Sequence, residues 1–203
     1  MWRSTICVRI WYTADGLNKG TTTDVITLGS TGSLVQTGSG ADNINVDTSA
    51  LFSSNSAVIK LGAGNDTLFL TAGNSAEYVY GEAGDDLIYV AGGTTSTDLI
   101  DGGEGSDTLA FASGTTNALI AKSIENVKVA SLTGESTTAN FTSIDSSVAI
   151  ADSGVGAVTF GNLLKGSTYT STVAKTGALN LGFKANEAAT LNVNLNKGTG
   201  STI

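Results

Sequence analysis

The 203-residue chain has no histidine, no proline, one cysteine and only 6% aromatic residues. Without histidine there is no Ser-His-Asp triad, no Cys-His pair and no zinc centre of the usual ligands, so oxygen ligation is the metal chemistry left. The single Cys7 cannot close an internal disulfide, so the redox compartment is not readable from bridges, although sparing use of cysteine suits an exported protein. Cations are scarce too: 10 Lys and Arg stand against 18 Asp and Glu, a net charge of −8. Nucleic acid and an anionic membrane surface are thereby disfavoured as partners, and a hard cation is favoured. No apolar run approaches the roughly eighteen residues of a membrane span, and the start MWRSTICVRIWY lacks the apolar stretch of a signal peptide.

What the chain does have is 26 Gly, 29 Thr and 22 Ser beside 40% hydrophobic residues, too apolar for a disordered linker. β-branched residues and Gly disfavour helix interiors, and Leu, Glu, Lys and Arg are sparse, so the composition reads as all-β with many turns. Residues 1–20 read as a separate N-terminal segment: the first dozen hold both Trp, both Arg, the only Cys and the only Met, as a foreign start would. Ser201-Thr202-Ile203 ends without a turn or tail, as expected of a fragment of a longer protein.

A pattern repeats four times between Thr37 and Phe111: TGSGADNINV (37–46), LGAGNDTLFL (61–70), GEAGDDLIYV (81–90) and GGEGSDTLAF (102–111). Each copy is a Gly-rich turn, an Asp at the sixth place (Asp42, Asp66, Asp86, Asp107) and a short alternating strand. Period two puts the eighth-place Ile44, Leu68, Ile88 and Leu109 and the tenth-place Val46, Leu70, Val90 and Phe111 on one face. Val35, Ile59, Val79 and Ile100 stand two residues before the copies, so an apolar strand precedes each turn as well. The copies start 24, 20 and 21 residues apart, enough for one coil of a flattened solenoid: strand, glycine loop, strand, and a variable return turn such as SALFSSNSA, TAGNSA or AGGTTST. A single coil cannot bury its own apolar face, so the core must run through a stack. The expected fold is a right-handed parallel β-solenoid, its glycine loops along one edge and its return turns along the other.

Gly38, Gly40, Gly62, Gly64, Gly84, Gly103 and Gly105 at the second and fourth places allow positive φ and close stacking, joined by Gly81 and Gly102 at the first place. Such turns aim main-chain carbonyls inward, and the sixth-place Asp adds a carboxylate. Two loops at one strand spacing, roughly 4.8 Å, would surround a gap with about six oxygens, a calcium-type shell that magnesium's stricter octahedron fits poorly. Four loops leave three gaps, so about three Ca²⁺ in a row are expected, with the fifth-place Asn65 and Asp85 placed to touch the shell. Segment 37–107 carries eleven acids and only Lys60 as a base, so it repels itself without a counterion and is expected to fold with calcium.

These four copies resemble the GGxGxDxUx nonapeptide of the RTX (repeats-in-toxin) calcium-binding β-roll. Gly102-Gly103-Glu104-Gly105-Ser106-Asp107-Thr108-Leu109-Ala110 matches every fixed place, while Thr37 and Leu61 replace the first Gly and Glu82 replaces the second. The resemblance implies Asp carboxylates and loop carbonyls as ligands, extracellular calcium and secretion. The inserted return turns and the following Thr/Ser/Asn-rich β region beginning SIENVKVASLTG are similar in style to bacterial surface-layer proteins carrying RTX-type repeats. The implied function is structural and non-enzymatic: a secreted, cell-surface solenoid that self-associates into a lattice, anchored by a surface glycan or lipopolysaccharide outside this segment. The alternative is the RTX portion of a secreted hydrolase or adhesin.

Residues 21–113 form the expected calcium-binding roll and 114–203 either its continuation or a packed β-sandwich. Asp47, Glu77, Asp98 and Glu104 read as solvated surface charges, Asp101 as a turn residue or extra ligand, and Tyr78, Tyr80, Tyr89 and Phe69 as strand packing. Carboxylate-pair glycoside chemistry and an ice-binding Thr ladder are lesser readings, since the pairs are absorbed by calcium and the Thr spacing is irregular.

Overall fold

The computed structural model describes residues 9–11, 24–27, 33–48, 56–73, 75–185 and 192–195; Cys7 and the chain's two ends lie outside them. The strands in chain order are β1 (Arg9–Trp11), β2 (Asp24–Thr27), β3 (Ser33–Ser39), β4 (Asn43–Asp47), β5 (Ser56–Ala63), β6 (Thr67–Thr71), β7 (Ala76–Ala83), β8 (Leu87–Val90), β9 (Leu99–Asp101) and β10 (Thr108–Phe111). They continue as β11 (Thr116–Lys122), β12 (Asn126–Val129), β13 (Ser136–Ile144), β14 (Ala149–Asp152), β15 (Ala157–Leu163), β16 (Thr168–Ser171), β17 (Leu179–Phe183) and β18 (Asn192–Leu195). No helix occurs among the described residues, and so none long and apolar enough to cross a membrane.

Odd-numbered strands form one nine-stranded sheet and even-numbered strands the other, each in strict sequential order. Every neighbouring pair is parallel. Each coil therefore gives one strand to each sheet, and the two sheets face one another as a parallel β-solenoid. Both sheets run past residue 114 without a break, which sets aside the sandwich for the second half.

Alternation explains the core. Ile44, Leu68, Ile88, Leu109, Val127, Ile150 and Tyr169 are register partners in successive even strands, and all are buried. Val35, Ile59, Val79, Ile100 and Ala121 form the matching buried column in the odd strands. The residues between them, mostly Asn, Thr, Lys and Tyr, point outward, where Phe69 and Tyr89 meet with ring centroids 5.7 Å apart. One-residue alternation thus commits each strand's whole apolar set to a single interior, and a slip by one residue would turn that set to solvent.

Candidate metal site

The four glycine loops stack along one edge, joining β3 to β4, β5 to β6, β7 to β8 and β9 to β10. Their second and fourth places have φ between 97° and 143° where Gly stands, the region that costs an L-residue with a Cβ. Stacking adds a second demand at the fourth place: a Cβ on Gly64 would lie 2.1 Å from the Gly40 carbonyl oxygen, and one on Gly105 would lie 2.1 Å from that of Gly84. Glu82 breaks the pattern, holding φ 74° at a second place with its carboxylate 3.3 Å from Lys60 Nζ.

The sixth-place aspartates form a buried column: Asp42 is 7% exposed, Asp66 1%, Asp86 2% and Asp107 0%. The N–H of Asp42 donates to Oδ1 of Asp66 (2.7 Å), that of Asp66 to Oδ1 of Asp86 (2.8 Å), and that of Asp86 to Oδ1 of Asp107 (2.9 Å). Each of these carboxylates is thus pinned by the coil before it. The other oxygen of the last three, Oδ2 of Asp66, Asp86 and Asp107, is buried with no hydrogen-bond donor. Burial accordingly pushes the Asp66 carboxyl up to about 7 and Asp86 up to about 6, against the lowering pull of the N–H bonds and with neighbouring carboxylates adding to the rise. Asp107 is raised for the same first cause, with Glu125, Asp85 and Asp101 as its charged neighbours. Three buried acceptors without donors in one column call for a partner such as a proton, a water or a cation.

First-place residues decide how much room each acceptor has. A Cβ on Gly81 would meet the Gly102 carbonyl oxygen at 2.1 Å and Asp86 Oδ2 at 2.3 Å. A Cβ on Gly102 would meet the Ser123 carbonyl oxygen at 2.2 Å and Asp107 Oδ2 at 2.4 Å. In both coils a carboxylate oxygen and the next coil's carbonyl face the same small space, open because glycine has no side chain. The first two coils differ: Leu61 places a buried side chain there, and the Thr37 hydroxyl donates to the Leu61 carbonyl.

The column has a fifth member that the repeat pattern did not include. The N–H of Asp107 donates to Oε2 of Glu125 (2.8 Å) in the shortened loop Ser123-Ile124-Glu125 between β11 and β12. Its signal was present: an acid followed by the alternating run NVKV, 18 residues after Asp107. The longer Glu side chain spans what the shorter loop gives up. Fifth-place residues sit elsewhere. Asn65 and Asp85 are exposed, and their side-chain oxygens accept the N–H of Asp85 (3.0 Å) and of Ser106 (2.8 Å), so they clip coils together on the outside of the loops.

Among the other acids, Glu104 is exposed, but Glu77 and Asp98 are 1% exposed each, so the expectation of solvated charges fails for these two. They occupy inward positions two residues before Val79 and Ile100, where strand parity outweighs side-chain polarity. A second buried polar cluster lies beyond the loops: Asp152 accepts from Lys175 Nζ (2.7 Å), from the Tyr169 hydroxyl and from the N–H of Gly154 (2.8 Å).

No group of three or more acidic, His or Cys side chains converges on one point among the described residues, so a cation at the loop edge would need main-chain carbonyls or water for part of its shell. Comparison of the chain with family models, with curated proteins and with solved structures gives no match.

Proposed function

We propose that the glycine-loop edge binds about three calcium ions and that the protein is a secreted, non-enzymatic structural element of a bacterial surface layer. The observation that carries the metal reading is the pair of donorless, buried Oδ2 atoms of Asp86 and Asp107, each beside a first-place glycine and the next coil's carbonyl; Asp66 Oδ2 is donorless as well, in the coil where Leu61 stands at the first place. Oxygen-only surroundings with carbonyls facing the carboxylates suit calcium over magnesium, which demands a stricter octahedron. Calcium supplies the positive charge that lets the column ionise. The residues here do the rest: Asp86 and Asp107 present carboxylate oxygens, Gly102 and Ser123 present carbonyls, and Glu125 closes the column.

Because the acids of 37–107 are self-repelling without a counterion, binding and folding become one equilibrium, and calcium outside the cell would switch folding on after export. A long parallel solenoid with two nine-stranded sheets is a suitable repeating unit for a lattice. Calorimetric titration and thermal unfolding in chelator and in millimolar calcium test the metal reading: equal melting temperatures in the two would reject it. Electron microscopy in calcium tests the surface-layer reading. An ordered lattice supports it, and strictly monomeric protein turns the choice toward the repeat portion of a secreted hydrolase or adhesin.

A further inference from the structure

At the edge opposite the calcium loops, the first inward positions of two adjacent coils are acidic. Glu77 is the second residue of β7 and Asp98 precedes β9, and the N–H of Glu77 donates to Oδ1 of Asp98 (3.1 Å). The two carboxyl groups are within hydrogen-bonding reach of one another. Asp98 is already well supplied, since the Thr95 N–H donates to Oδ2 (2.7 Å) and the Thr95 hydroxyl to Oδ1 (3.0 Å). Glu77 takes the Ser75 hydroxyl on Oε1, which leaves Oε2 buried and donorless.

Among the described residues, nothing around the pair supplies a positive charge. On β5 the register partner of Glu77 is Ala57, and on β11 the residue before Ile120, the partner of Leu99, is Leu119. The turns contribute Thr48, Ser75, Thr94 and Thr95, all neutral. The cations that form ion pairs among the described residues are engaged elsewhere, Lys60 with Glu82 and Lys175 with Asp152. Burial is the leading cause raising both carboxyls; the charge of Asp98 adds to the rise at Glu77, while hydrogen bonds from Thr95 and Glu77 pull Asp98 back down.

We propose that Glu77 and Asp98 form a binding site for one proton, carried on Glu77 Oε2 and donated to the Asp98 carboxylate, so that the solenoid takes up a proton as it folds. Two like charges in one buried site without a cation do not both ionise, and a single proton gives the orphan Oε2 a partner while leaving every other hydrogen bond in place. A metal ion suits the site less well, because three of the four carboxylate oxygens already accept hydrogen bonds. The site belongs to the pair, so its titration is a joint property. The unfolded chain gives up these protons near the ordinary carboxylate range and the folded pair holds one up to about 7. Folding is therefore favoured as pH falls through that window, and the contribution is lost as pH rises through it.

The test is urea unfolding of the full chain and of E77Q between pH 5 and 8, both in saturating calcium and in chelator. The Gln amide supplies a permanent donor in place of the proton. The unfolding equilibrium constant of wild type relative to E77Q should rise about tenfold per pH unit below pH 7 and level off above it. Because the comparison is made with and without calcium, it reads the same whether or not the loop edge binds metal. Should E77Q fold poorly, the infrared carbonyl band of a protonated carboxyl at pH 6.5 in the calcium-loaded wild-type protein reads the proton directly. Parallel stability curves, absence of that band, or loss of one bound calcium in E77Q would each overturn the proposal.

Discussion

The N–H of Asp86 donates to Oδ1 of Asp107 across 2.9 Å, while Oδ2 of Asp107 has no donor and faces the Ser123 carbonyl beside Gly102. One oxygen of each carboxylate thus fastens coils together and the other is left buried without a donor. The two duties separate in Asp86→Asn. The amide oxygen of the substituted side chain still accepts the Asp66 N–H, but the buried charge is gone. In chelator near pH 7.5 the variant is expected to be more stable than wild type by on the order of 1–3 kcal/mol; in calcium it should bind at least one ion fewer and gain less from the metal. Isothermal titration paired with urea unfolding reads both, and unchanged stoichiometry would reject the role of Asp86.

The carboxyl shifts also set a pH dependence. Asp66 and Asp86 release their protons near 3.8 when unfolded but near 7 and 6 when folded without metal. The metal-free folded state holds more protons across that window, so its stability falls as pH rises from about 4 to about 7. If these carboxylates ligate calcium as proposed, the ion would bind only their ionised form and be displaced by protons across the same range. The rise in melting temperature caused by millimolar calcium should therefore widen steadily from pH 5 to pH 8 in scanning calorimetry. A calcium effect that stays constant or shrinks with pH would contradict ligation by these carboxylates.

Much of this was legible because two independent periods coincide. Ile44 and Val46 lie two apart, as do Leu109 and Phe111, so strand parity announced the core, and the glycine pattern announced where the chain turns. Asp42, Asp66, Asp86 and Asp107 follow from the same register. Glu77 and Asp98 were missed for a physical reason: they share the parity of Val79 and Ile100, but in return turns of unequal length a charge reads as solvent-facing. Glu125 was missed because its loop is shortened, so that only the three-dimensional column shows a longer side chain standing in for Asp.

Glu82 and Gly103 are successive members of one loop column, and they predict opposite outcomes for opposite exchanges. Glu82→Gly relieves a left-handed residue, φ 74°, worth about 1–2 kcal/mol. Against this stand the extra freedom of Gly in the unfolded chain, about 0.5–1 kcal/mol, and an exposed Lys60 ion pair worth roughly 0–1 kcal/mol. The net change should be small, between about −1 and +1.5 kcal/mol. Gly103→Ala instead forces a Cβ to 2.2 Å from the Glu82 carbonyl oxygen at φ 98° and should cost more than about 2 kcal/mol through strain and overpacking. Urea midpoints of the two variants check the contrast, and equal midpoints would mean that the loops do not stack this closely.

Asp152 and Lys175 tie the later coils together through a buried ion pair. Asp152 is 0% exposed and takes the ammonium of Lys175 at 2.7 Å, the Tyr169 hydroxyl and the Gly154 N–H at 2.8 Å, while Lys175 also donates to the Gly154 carbonyl at 2.9 Å. Burial and the adjacent carboxylate push the Tyr169 hydroxyl up, so it stays a donor at all working pH values. Removing only the cation strands a buried carboxylate, for which about 3 kcal/mol is the ordinary penalty. Lys175→Met is expected to destabilise by that amount in calcium and in chelator alike, because the cluster lies away from the loop edge. Pairing it with Asp152→Asn should recover most of the loss, giving a double-mutant coupling above about 2 kcal/mol. Additive losses would show that the ion pair is dispensable and that the Tyr169 and Gly154 hydrogen bonds alone hold Asp152 in place.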